Sequence, residues 1–201
     1  MGVVASGFTY SHEVFGEGFY MADVLVKRLS NSNDRIPLMI SERLIDVTQD
    51  YTGEAIKVSG QFRSYNRHEE QKNRLVLSVF VREVEFIDEE LDGAKTNHIL
   101  LEGYICKKPV YRKTPLGREI ADLLLAVNRP YGKSDYIPCI CWGRNARFAG
   151  KFEVGSPPSE DLQFHALTAS SGKPAVCRCN HPDKYCSALS AFLLPPQMKT
   201  L

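Results

Sequence analysis

Residues 127–146, VNRPYGKSDYIPCICWGRNA, set aromatic rings among cations: Tyr136 and Trp142 lie six positions apart, with Arg129 and Lys133 before them and Arg144 after. Every nucleobase has a π-face. A ring flanked by Lys and Arg can therefore stack a base and hold its phosphate with little regard to sequence, at about 1 to 3 kcal/mol per stacked base. The element that would position such rings is a β-hairpin, and the second arm of this one alternates. Tyr136, Pro138, Ile140 and Trp142 fall on one face, and Ile137, Cys139 and Cys141 on the other. One face can pack a core while the other offers two large rings to an unpaired strand. The plainer alternative is that both rings simply cover a hydrophobic core.

Charge supports the first of these. The chain of 201 residues carries a net charge of only +1, but the charges segregate along it. Residues 1–94 hold ten Lys/Arg against sixteen Asp/Glu. Residues 103–151 hold ten, Lys107, Lys108, Arg112, Lys113, Arg118, Arg129, Lys133, Arg144, Arg147 and Lys151, against only Glu119, Asp122 and Asp135. A cationic half of this kind suits a polyphosphate partner whose binding is driven by counterion release and weakened by salt.

Other classes fit poorly. The longest apolar run, residues 120–127, contains Asp122 and is too short to cross a bilayer, and the start lacks the pattern of a signal peptide, so no membrane is expected and a cytoplasmic, nucleoid-associated location is. Cys106, Cys139 and Cys141 sit in strand-like patterns, with Cys177, Cys179 and Cys186 near the end, and free thiols are expected in a reducing compartment. The five histidines, His12, His68, His98, His165 and His181, are scattered. The sequence contains no phosphate loop, dinucleotide glycine fingerprint or HExxH. No enzymatic activity and no cofactor are expected.

The chain also repeats itself. GFTYSHEVFGEGFYMAD (7–23) runs parallel to GYICKKPVYRKTPLGREIAD (103–122), so that Ala22-Asp23-Val24-Leu25 pairs with Ala121-Asp122-Leu123-Leu124. Ile36-Pro37 then pairs with Ile137-Pro138 after a turn two residues longer in the second copy. Each copy reads as a glycine-punctuated strand, a turn at Gly18 or Gly117, an apolar strand, a polar turn and a second apolar strand, which argues for a small barrel or sandwich. The copies differ where binding would occur. Arg35 and Ser41 stand for Tyr136 and Trp142, and Ser11 and His12 for Lys107 and Lys108.

These motifs carry a family resemblance. Asn97-His98-Ile99-Leu100-Leu101-Glu102-Gly103, Tyr111-Arg112-Lys113-Thr114-Pro115-Leu116-Gly117, Ala126-Val127-Asn128-Arg129-Pro130 and Ile137-Pro138-Cys139-Ile140-Cys141-Trp142-Gly143 resemble, in order, a bacterial single-stranded DNA-binding protein with the OB fold. The resemblance implies a five-stranded barrel with Tyr136 and Trp142 at the family's stacking positions and Lys107, Lys108, Arg112, Lys113, Arg118, Arg129, Lys133 and Arg144 along the phosphate path. Val58-Ser59-Gly60-Gln61-Phe62-Arg63-Ser64-Tyr65 and residues 75–84 resemble the family's fourth and closing strands, so the first copy looks like a complete, diverged OB unit. The layout is similar to duplicated, two-domain clostridial-type members.

The expected fold is therefore all-β: two tandem OB-like barrels, the second short of two strands, and an irregular tail. Residues 1–94 are expected to form a diverged, structural or dimer-forming unit, with Leu91 to Thr96 as the linker. Residues 95–155 are expected to form the unit that touches nucleic acid. Residues 156–201 are broken by Gly172, Pro174, Pro182, Pro195 and Pro196 and lack alternation, which suggests a disordered or out-of-frame ending, the alternatives being a diverged tail with its own role and strands that the pattern does not reveal. Within it Cys177, Cys179, His181 and Cys186 offer four soft ligands, but their crowding suits zinc poorly, and no metal is expected. The chain ends Gln197-Met198-Lys199-Thr200-Leu201, without the acidic, aromatic-ended tip through which many family members recruit replication partners, which weighs against such recruitment here.

The function expected is binding of single-stranded DNA without strong sequence preference, protecting it in replication, recombination or repair. A homo-oligomer is expected, a dimer carrying four OB units. The alternative is an OB-fold assembly subunit with its rings in a protein interface. Under the first, Trp142→Ala weakens binding, while Lys108→Ala or Arg112→Ala mainly lowers the salt slope.

Overall fold

The computed structural model describes residues 1–27, 32–69, 72–88, 97–155, 164–166 and 175–179. These fall into two compact units, one up to Ile99 and one from Leu100. The expected linker, residues 91–96, lies outside the described residues.

The first unit is built from β1 (Gly2–Val4), β2 (Thr9–Val14), β3 (Glu17–Lys27), β4 (Asn33–Ser41), β5 (Ala55–Glu69) and β6 (Lys72–Phe86). Period-2 patterning places its core: Ala22, Val24 and Val26 of β3 and Ile36, Leu38 and Ile40 of β4 point inward and pack with Val4, Ile56 and Val81. β1 pairs with both β3 and β5, β5 with β6, β6 with β4 in parallel, and β4 with β3. The ring closes, and β2 continues β1 along β3. Closure removes most of the exposed edge that an open sheet would leave.

The second unit comprises β7 (Ile99–Leu101), β8 (Tyr104–Lys113), β9 (Glu119–Asn128), β10 (Ser134–Trp142), a helix α1 (Arg144–Ala149), β11 (Phe164–Ala166) and β12 (Ala175–Cys179). Its order, β7-β11-β12-β10-β9-β8, is the order of the first unit strand for strand. Of the readings open for residues 156–201, strands that the pattern does not reveal are present: β12 pairs in parallel with β10, and β11 lies antiparallel to β12. At three and five residues, and beside Pro174, they are too short to show an alternating pattern in sequence. Their hairpin is far shorter than the 15-residue arms of β5 and β6. Among the described residues the fold is thus OB-type and mostly strand, with short helical turns.

Register revises how the two halves correspond. β3 and β4 are joined by five residues, and so are β9 and β10, so the two-residue difference in this turn disappears. A constant step of 101 relates Gly16 to Gly117, both with positive φ, the buried Asp34 to Asp135, and Leu38 to Cys139, the residues at which β4 and β10 meet their parallel partner strands. The first turn lies at Phe15-Gly16, between β2 and β3, rather than at Gly18, and Asp23 corresponds to Leu124, not Asp122. The apolar match Ala22-Asp23 to Ala121-Asp122 is a coincidence of composition two residues out of step. Pro37 and Pro138 keep their match. Neither has an N–H to give, and each parallel partner strand engages only from the next residue, Leu38 or Cys139.

Candidate nucleic-acid interface

β9 and β10 form the expected hairpin, in register from Ser134↔Asn128 to Trp142↔Ile120. The odd-numbered residues line the core: Ala121, Leu123, Leu125, Ile137, Cys139 and Cys141 are all buried, and Cys139 and Cys141 are free thiols. The even-numbered residues form the outer face. There Tyr136 is 52% exposed and Trp142 is half-buried, so neither ring is a core side chain.

The face is not open along its whole length. Pro138 and Ile140, expected on the open side with the rings, are buried. Ile140 is opposite Asp122, and Arg112 reaches over the outer face to that carboxylate, Nε to Oδ2 at 2.8 Å. The ion pair divides the arm into a Tyr136 end and a Trp142 end, about 20 Å apart at 3.3 Å per residue.

Register extends the face to β8. Tyr104 is opposite Ala126, which is opposite Tyr136; Lys107 is opposite Leu124, which is opposite Pro138; and Arg112 is opposite Ile120, which is opposite Trp142. Directly opposed residues share a face. Tyr104, 48% exposed, thus stands in one row with Tyr136. A second tyrosine missed from sequence is Tyr131, 98% exposed in the β9–β10 turn with a left-handed backbone (φ 63°), a conformation that non-glycine residues adopt uncommonly. Tyr131 is within the segment 127–146, but between Pro130 and Gly132 it falls outside the alternating arm that marks Tyr136 and Trp142. Tyr104 gave no signal, because its row depends on strand pairing.

The ten expected site residues divide. Lys107, Lys108, Lys113, Arg118, Lys133 and Arg144 are exposed and form no ion pair with a described residue. Lys133 precedes Tyr136 and Arg144 follows Trp142, so cations bracket the rings. Arg112 and Arg129 are committed elsewhere. Arg112 holds Asp122, and Arg129 Nε lies 2.8 Å from Oδ2 of Asp135, whose side chain is 2% exposed. Carboxylates so far from water need a paired cation, which ties these two guanidinium groups to the scaffold.

Behind Trp142 the chain turns sharply into α1 at Gly143 (φ 60°, ψ −129°), a backbone that side-chain-bearing residues rarely adopt. Ala146 and Ala149 bury against the sheet, and Arg147 Nε meets Glu119 Oε2 at 2.5 Å while the Tyr111 hydroxyl donates to Glu119 at 2.7 Å. The Arg147 hydrogen bond, helped by that of Tyr111, holds the Glu119 carboxyl below its ordinary value. The same Tyr111–Glu119 bond raises the Tyr111 phenol.

In the first unit the ring positions hold other chemistry, and under the step of 101 these are Arg35 and Ser41, as expected. Arg35 pairs with Asp23 at 3.0 Å, and the Ser41 hydroxyl donates to Glu17. Lys107 and Lys108 do not correspond to Ser11 and His12. His12, stacked on Phe19 at 5.2 Å, corresponds to Arg112, and Lys107 to the bend near Ser6, whose hydroxyl accepts from the Asp23 N–H.

The cluster Cys177, Cys179, His181 and Cys186 lies outside the residues whose side chains are described. No helix among the described residues is long and apolar enough to cross a membrane.

Comparison with known proteins agrees with this geometry. Residues 96–157 match the model of the single-strand binding protein family. "Single-stranded DNA-binding protein 2" of Listeria innocua is 36% identical over 86 residues, covering 38% of this chain and 54% of that protein. "Single-stranded DNA-binding protein A" of Bacillus subtilis is 36% identical over 62 residues, 28% of this chain and 36% of that protein. The chain thus spans about half or less of the length of these curated relatives. The wild-type single-stranded DNA binding protein from Thermus aquaticus superposes with a TM-score of 0.65 over 94% of this chain and 93% of that one, and a deletion variant with 0.62 over 98% and 94%. At 16% identity both report the fold. Residues 96–157 thus resemble the single-strand binding protein family, and the likeness of the rest of the chain is one of fold.

Proposed function

We propose that this chain binds single-stranded DNA with little sequence preference, coating it during replication, recombination or repair at the nucleoid. The observation that carries the reading is Tyr136, half exposed on the outer face of β10, with Trp142 along the same face and unpaired Lys133 and Arg144 beyond them. Bases stack on the rings, and the exposed cations track the phosphates. The names of the relatives support the ligand. Trp142, the only tryptophan, reports directly. Titration with oligo-dT should quench its fluorescence, with an affinity that falls as salt rises. A fluorescence unchanged up to saturating oligo-dT at low salt overturns the proposal.

The first unit fits an assembly role within the same protein. Its ring positions are occupied by Arg35 and Ser41, already bonded, and its residues up to 94 are acidic overall. Along the sheet edge β2 has all six residues exposed, Tyr10 among them, with Phe15 exposed at the turn that follows. On this reading the chain forms a homodimer carrying four OB units, and light scattering of the full chain tests it against the monomer mass.

A further inference from the structure

Tyr104 and Tyr136 stand on either side of Ala126, in one cross-strand row of the outer face, and both are about half exposed. Neighbouring strands lie about 4.8 Å apart, so β8 and β10 run about 9.6 Å apart with the small Ala126 side chain between them. A flat ring midway would lie about 4.8 Å from each tyrosine, inside the 4.5 to 7 Å window in which aromatic rings attract. The strands are held at close range here. A Cβ on Gly103 would come within 2.4 Å of the Ala126 carbonyl oxygen, so the chain entering β8 lies against the β9 backbone more closely than a larger residue allows. Lys107 is next along the face, opposite Leu124, about 7 Å further by strand rise. It is exposed and forms no ion pair with a described residue.

From this we infer that Tyr104, Ala126 and Tyr136 form a slot that takes one nucleobase between two phenol rings, with Lys107 holding the adjoining phosphate. The inference rests on the reading of this face as the DNA-binding surface and deepens it. Tyr104 becomes a binding residue, and Ala126 is required to be small. Two-sided stacking holds a base more firmly than a single platform, and because it uses only π-faces it adds no preference among the four bases.

The test uses the full chain and oligo-dT carrying a single 2-aminopurine, with Trp142 fluorescence as an independent measure of overall binding. In the wild type the aminopurine should be quenched when it occupies the slot. Tyr104→Leu should weaken binding about five- to a hundredfold and relieve the quench, whereas Tyr104→Phe, which keeps the ring, should behave as wild type. Ala126→Leu leaves every ring in place but fills the gap, and should relieve the quench as strongly. Both positions are at the surface, and circular dichroism checks that the variants fold. Wild-type Trp142 quenching combined with unaltered binding and aminopurine quench in Tyr104→Leu and Ala126→Leu would sink the slot alone. Failure of wild-type Trp142 to respond at all would sink the wider reading instead.

Discussion

Arg112 and Asp122 are joined by two contacts, Nε to Oδ2 at 2.8 Å and Nη2 to Oδ1 at 3.4 Å, on the outer face between the Tyr136 and Trp142 ends of β10 and nearer the Trp142 end. The pair fills the position where a continuous ring-lined groove would need open surface, and it fixes β8 to β9 behind the platforms. Removing one member of a buried pair costs about 3 to 5 kcal/mol, and the partial exposure of Arg112 reduces this to about 2 kcal/mol. Arg112→Ala should therefore lower the denaturation midpoint of the chain, and Asp122→Asn in the same chain should restore part of the loss. An unchanged midpoint with a reduced salt slope would return Arg112 to the phosphate path.

The salt slope is expected instead from the cations that form no ion pair with a described residue. Each phosphate contact on a single strand contributes about 0.7 to the slope of log K against log salt. Lys133→Ala and Arg144→Ala, at opposite ends of the rings, should each reduce it by about that amount with no loss of stability. Binding isotherms at several salt concentrations read the change. Slopes equal to wild type in both variants would remove these two residues from the interface.

How much of this was legible in the sequence follows from the range of the interactions. The alternation of Tyr136 to Trp142 and the core side of Ile137, Cys139 and Cys141 are local, and both are present. The engagement of Arg112 and Arg129 was not visible, because a cation ten or six positions from its carboxylate looks the same in sequence whether strand pairing joins them or not. Burial of Pro138 and Ile140 has the same origin, an outer face covered by tertiary contacts. The two-residue slip in the repeat arose because Ala-Asp followed by apolar residues recurs by composition, whereas the step of 101 is set by turns and by buried Asp34 and Asp135. β11 and β12 were missed because strands of three and five residues carry too little period to detect.

Glu119 gives a pH prediction. Its carboxyl is held below the ordinary value by Arg147 and Tyr111, so the folded state binds its proton less readily than the unfolded chain does. The stabilisation is complete above the ordinary carboxylate value and is lost as pH falls through the depressed one. Melting temperatures of wild type and Glu119→Gln should differ at neutral pH and converge in acid. A difference that persists at the lowest pH would refute the linkage.

Gly143 joins the Trp142 platform to α1 in a conformation suited to glycine. A side chain there should cost about 1 to 3 kcal/mol of backbone strain. Gly143→Ala should lower stability and shift the emission maximum of Trp142 as α1 is displaced. A variant with both properties unchanged would show that the turn tolerates a side chain without strain.

The account depends on bases lying against the outer face of β10, and photo-crosslinking of the full chain to oligo-dT containing 5-iodouracil reads that contact directly. Mass spectrometry should find the adducts on Tyr136 and Trp142, at low salt and in proportion to binding. Adducts confined to the first unit, or bound DNA that crosslinks to neither ring, would contradict it.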